Sequence, residues 1–90
     1  MNEREITGLL KELHAKLQNA ETLSESDREL LTRLSVDIES LLGRSGDVSA
    51  AHQRSIVERL QESITRFEVT HPDLTNVMER VSKTLADLGI

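Results

Sequence analysis

The sequence predicts an all-α protein, a four-helix antiparallel bundle. The first reason is a three-four apolar rhythm that runs through most of the chain: Ile6, Leu10, Leu13, Leu17 and Ala20; then Leu31, Leu34, Ile38 and Leu41; then Val57, Leu60, Ile64 and Phe67; then Leu74, Met78, Val81, Leu85 and Leu88. This spacing gathers apolar side chains on one stripe of a helix, and such a stripe has to be covered by another. The second reason is that helix start and stop signals punctuate the rhythm where it pauses. The third is length, because 90 residues make one small domain without room for a second core.

The first helix is expected over about 3–19. Asn2 is a suitable N-cap with Glu5 three residues on, and Met1 and Ile6 take the positions of a hydrophobic staple. Glu12 and Lys16 form a favourably ordered i,i+4 pair, and Gly8 weakens the early turns. Residues 20–25 read as a turn. Ser24-x-x-Asp27 and Ser26-x-x-Glu29 compete as capping boxes for a second helix over about 25–42, with Gly43 placed to end it in the left-handed conformation.

Residues 43–49 hold two glycines and two serines and read as a loop. A third helix follows over about 50–69, capped by Asp47 or Ser49, with Arg54–Glu58 and Glu62–Arg66 as i,i+4 pairs. His71-Pro72 breaks the chain again, since proline cannot donate a backbone bond and restricts the residue before it. Thr70 with a Val69–Leu74 staple competes as cap with His71, which would put Pro72 at the first helical position. The second is preferred because proline is favoured there. The fourth helix runs over about 72–88, and Gly89 can close it with a Schellman turn.

An alternative keeps the heptad phase across two breaks. Counting from Leu17 through Ala20, Ser24 and Asp27 to Leu31, and from Phe67 through His71 to Leu74, gives two long helices over 3–42 and 50–88. Their hairpin would dimerise through a coiled-coil-like seam. The four-helix arrangement is preferred because that seam would carry Ser24 and Asp27 in a core.

Composition narrows function by exclusion. The net charge is −5, and residues 21–43 alone hold six acidic and two basic side chains. An acidic chain with one Phe and no Tyr or Trp neither attracts phosphate backbones nor offers bases a stacking surface, so no nucleic-acid partner is expected. No segment approaches the ~20 apolar residues of a membrane span, and the N-terminus has no basic segment leading into an apolar one. Neither a membrane nor a signal peptide is therefore expected, and the cytoplasm is the expected location. The absence of cysteine agrees with that location and rules out a disulfide or a thiolate metal site.

No catalytic, cofactor-binding or metal residue can be assigned, and an enzyme is not expected. The nearest metal candidate is Glu68-x-x-His71, whose spacing would put both side chains on one helix face. Di-iron bundles need two such pairs plus two further glutamates, and only this one occurs. His71 is better read as a structural turn residue, and His14 and His52 as surface or edge residues. Gly43-Arg44-Ser45-Gly46 precedes a helix but lacks the strand and lysine of a phosphate cradle. Met78 and Phe67 lie at seam positions, where core packing accounts for them.

Arg66-Phe67-Glu68, His71-Pro72-x-Leu74 and the ending Leu85-Ala86-Asp87-Leu88-Gly89-Ile90 resemble a family of small bacterial proteins known as domain of unknown function 4404. Leu23-Ser24-Glu25-x-Asp27-Arg28-x-Leu30-Leu31 and Asp37-Ile38 are similar to the same family's middle section. Leu88 departs from the methionine more usual there. The resemblance spans nearly the whole chain. It implies a complete small protein and a true break near 20–25, but no activity and no site residues.

The expected function is a non-catalytic protein–protein interaction or self-associating module, with a homodimer as its simplest assembly. The alternative is a metal-binding bundle using Glu68 and His71. Leu9, Leu42, Val77 and Ile90 look surplus to the seams and are the expected anchors of an interface.

Overall fold

A computed structural model describes residues 2–43 and 49–90. It contains α1 (Asn2–Asn19), α2 (Glu25–Gly43), α3 (Ala50–Phe67) and α4 (Pro72–Asp87). The Asn2 cap, the Met1–Ile6 staple and most of the loop at 43–49 fall on side chains or residues outside that description.

Each helix packs on two neighbours, so the four form a closed ring in the order α1, α2, α3, α4 and back to α1. The α1/α4 seam is the most extensive and the α2/α3 seam the least. Two ion pairs give the direction of the latter. Asp27 near the start of α2 meets Arg66 near the end of α3, whereas Asp37 further along α2 meets Arg59 earlier on α3. The two helices are therefore antiparallel. The apolar stripes meet inside the ring, where Ile6, Leu17, Ile38, Leu60, Leu74 and Met78 are among the side chains fully withdrawn from solvent. On α3 the stripe begins at Ile56, which is buried, and Val57, expected on it, lies at the edge. Four small polar residues, Ser35, Ser63, Thr75 and Thr84, are also buried. The two threonines donate to carbonyls of their own helix, Thr75 to Pro72 and Thr84 to Arg80, so neither hydroxyl is left unsatisfied.

The long-hairpin alternative does not hold, because both breaks are full corners. At the first, Ser24 caps α2: its Oγ accepts from the Asp27 amide at 3.1 Å and its carbonyl takes the first helical bond from Arg28. Ser24 thus wins over Ser26, which lies inside the helix. Leu23 is buried and plugs the turn, while Asp27 faces α3 instead of filling a core. At the second corner α3 stops at Phe67, two residues before the expected end. The His71 amide closes that turn onto the Phe67 carbonyl at 2.7 Å. His71 then caps α4 with Pro72 at its first position, and the His71 carbonyl accepts from both Leu74 and Thr75. The competing Val69–Leu74 staple does not form, because Val69 is 86% exposed.

Of the two proposed caps of α3, Ser49 serves, its Oγ accepting from the His52 amide at 3.1 Å. At the end of α4, Gly89 has φ +84°, its amide bonds the Ala86 carbonyl and the Ile90 amide reaches back to Leu85, which is a Schellman turn. Gly43 behaves otherwise than expected. It is the last residue of α2 and keeps helical dihedrals; among the described residues only Gly89 has positive φ.

Gly8 sits on the exposed side of α1, and a Cβ added there meets nothing within 4 Å. The backbone is helical, so glycine costs stability without relieving any crowding. Gly8→Ala is expected to stabilise the protein by about 1 kcal/mol, seen as a higher thermal midpoint by circular dichroism. A lower midpoint would show that α1 needs bare backbone at this position.

Candidate functional surface

Three ion pairs among the described residues tie helices together. Glu12 accepts from Arg80 of α4 at 2.8 Å, Asp27 from Arg66 at 2.9 Å and Asp37 from Arg59 at 2.5 Å. Two of the expected pairs along a single helix, Glu12–Lys16 and Glu62–Arg66, are thereby replaced, since Glu12 and Arg66 each turn to a neighbouring helix. In a ring of antiparallel rods the adjacent helix offers a partner as near as the next turn of the same helix, and only packing decides between them.

Arg28 is the structural side chain that the sequence reading missed. It lies near the start of α2, yet its guanidinium reaches back across the corner. One nitrogen donates to the Leu17 carbonyl, and another to the Ala20 carbonyl at 3.0 Å and the Leu23 carbonyl at 3.5 Å. These are carbonyls at the C-terminal end of α1 and in the turn after it, where orphan acceptors and the negative end of the helix dipole both favour a cation. A signal was available. A cation near a helix N-terminus is disfavoured by that helix's own dipole, which hints that it serves another element.

Glu68 and His71 are not brought together as a ligand pair. Helix α3 has ended before them, Glu68 is exposed and His71 faces the corner. The His71 Nε2 is 3.0 Å from Thr22 Oγ1 and its Nδ1 is 3.1 Å from Thr70 Oγ1. The imidazole thus latches the α1–α2 turn to the α3–α4 turn, and its ring stands edge-on to Phe67 with centroids 6.1 Å apart. Among the described residues, no group of three or more His, Asp or Glu side chains is placed to hold a metal ion. His14 and His52 are exposed, as expected.

Of the four expected interface anchors, two are spent inside the molecule and two stay partly exposed. Leu9 and Val77 are buried in the core, and Leu42 and Ile90 pack against it. Among the described residues, the large apolar side chains that stay outside are Leu30 at 44% exposure, Val36 at 51% and Val69. The first two lie on α2 beside open grooves. Leu30 walls a hollow of about 290 Å³ between α2 and α3, with Leu34 and Ser63 among its lining. Val36 borders a groove of about 490 Å³ between α1 and α2, with Leu10 and Ala15. The Arg59 Nε–H is buried in the α2/α3 seam without an acceptor among the described residues. The surface therefore offers shallow apolar relief bordered by charge.

A family model described as a domain of unknown function, DUF4404, matches residues 6–90. The chain belongs to the DUF4404 family. The match takes in α1 from Ile6 onward, the other three helices and both corners, including the Ser24 and His71 caps and the Gly89 turn. No curated protein and no solved structure matches the chain. Among the described residues, no helix of this DUF4404 member is long and apolar enough to cross a membrane.

Proposed function

We propose that this DUF4404 protein is a non-catalytic protein–protein interaction module that associates with itself, the simplest assembly being a homodimer. The observation that carries this reading is the half-exposure of Leu30 and Val36 on α2, each beside an open groove, while the other large apolar side chains of α2 are packed inside. Two further features support it. Ser24 and Ser49 are engaged in caps, His71 in a latch, and Glu12, Asp27 and Asp37 in interhelical ion pairs. A 90-residue bundle also buries only about two-thirds of its unfolded surface, so covering further apolar area against a second subunit adds to a thin margin. The net charge of −5 opposes nucleic acid and anionic lipid as partners, and a cysteine-free acidic chain suits the cytoplasm.

Sedimentation velocity from roughly 10 μM to 1 mM, the range in which small interfaces form, tests this. The expected result is a mass that rises with concentration from 10.1 kDa toward twice that value. A mass fixed at 10.1 kDa throughout would remove the self-association.

A further inference from the structure

We propose that the hollow between α2 and α3 is the face on which this chain meets a second copy of itself, with Leu30 close to the two-fold axis. This rests on the self-association reading above and assigns its surface.

The hollow lies along the least extensive seam of the ring and continues into a second one of about 380 Å³ that shares Leu30, Arg33 and Arg66 with it. Leu30 stands 44% exposed on the wall, above the buried Leu34 and Ser63. Around it stand charges of both signs. Arg33, Arg59 and Arg66 oppose Asp27, Glu29 and Glu62, three against three, on a chain whose overall charge is −5.

That balance selects the occupant. An acidic partner would meet the three carboxylates and the net negative field, and a basic partner would meet the three guanidinium groups. A two-fold interface sets one patch against its own copy, so a patch of one sign repels itself and a balanced patch is complementary to itself. Asp37 and Asp27 already hold the Arg59 and Arg66 side chains in place. Arg33 is exposed and has no ion-pair partner among the described residues. With two copies of α2 antiparallel about Leu30, Arg33 lies about 4.5 Å along the helix axis on one side of the dyad, and Asp27 the same distance on the other. Arg33 of each copy then comes opposite the Asp27–Glu29 turn of the other.

The size of the face sets the strength. Two helices about 27 Å long and 10 Å wide present roughly 500 Å² per copy, below the ~800 Å² of a standard interface, so the dimer is reversible and weak.

The test is sedimentation velocity of the full chain across the same concentrations, with circular dichroism on each variant to confirm that the helices persist. Leu30→Glu and Arg33→Glu are each expected to weaken dimerisation at least about tenfold. Val36→Glu, on the α1/α2 side, is expected to leave it unchanged. Glu29→Arg weakens it like Arg33→Glu, and an equimolar mixture of those two variants restores association, because each reversed charge then faces its complement. If Val36→Glu abolishes dimerisation and Leu30→Glu does not, the face is wrong while self-association stands. If the mixture fails to associate, the antiparallel register is wrong. If the unaltered chain stays monomeric, the underlying reading falls, and the proposal with it.

Discussion

Leu60→Ala is expected to lower stability by about 2–5 kcal/mol, the cost of deleting a fully buried leucine and leaving a cavity in a close-packed core. Leu60 is completely withdrawn from solvent at the middle of the α3 stripe. A chain of 90 residues has roughly 5–13 kcal/mol in total, so this single change consumes a large share of it. At about 4–8 °C per kcal/mol for a domain of this size, the thermal midpoint should fall by about 8 °C or more. Thermal and denaturant unfolding followed by circular dichroism will measure it. Leu30→Ala is the matched control. The same atoms are removed from a side chain 44% exposed on α2, and the expected cost in dilute solution is under about 1 kcal/mol. Similar losses at the two sites would mean that the ring does not bury its stripes as described.

Arg28→Ala is expected to cost about 2–3 kcal/mol, an unusual effect for a charged residue near a surface. Its side chain is 23% exposed and donates to the Leu17, Ala20 and Leu23 carbonyls. Hydrogen bonds from a charged donor contribute roughly 1.5–3 kcal/mol before solvent exposure reduces them, and carbonyls left without a donor add a desolvation cost. Arg28→Lys should recover only part, because an ammonium is a single point charge and cannot span separate carbonyls as a planar fork does. Arg28 also lies 3.9 Å from Glu25, whose side chain is 95% exposed, so Glu25→Ala should change stability very little. If Glu25→Ala destabilises as much as Arg28→Ala, the arginine acts through that ion pair and not by closing α1. Because Arg28 joins the end of α1 to the start of α2, its loss should also speed hydrogen exchange at the corner amides before those of the core.

Much of the fold was legible because the signals are local. The Ser24 cap, the Ser49 cap, Pro72 at the first position of α4 and Gly89 beyond its end each act over three to five residues and form as their spacing implies, although Asp27 of the Ser24 box turns to Arg66 instead of completing it. These caps also explain why the continuous heptad phase through Ser24 and Asp27 was not a continuous helix. A capping hydroxyl and a guanidinium satisfy the orphan groups at that corner, so nothing is gained by running the helix through it. The position of α2's end was less legible, since Gly43 can take either hand and stays helical. The surface was less legible still. Leu9 and Val77 looked surplus because a stripe of one residue per turn is narrower than the arc a helix buries when it has two neighbours.

The sequence by itself determined four amphipathic helices and the caps at Ser24, Ser49 and His71-Pro72, because hydrogen bonds along a helix and apolar periodicity depend on near neighbours in the chain. Only the tertiary structure decided that Arg28 closes α1, that Glu12 and Arg66 pair across helices, that His71 latches two turns and that Leu30 and Val36 remain outside. Those outcomes depend on which rods lie side by side and how far each is rotated about its axis. Rotation is set by the sum of many small contacts around the whole ring, and no single stretch of the chain contains that sum.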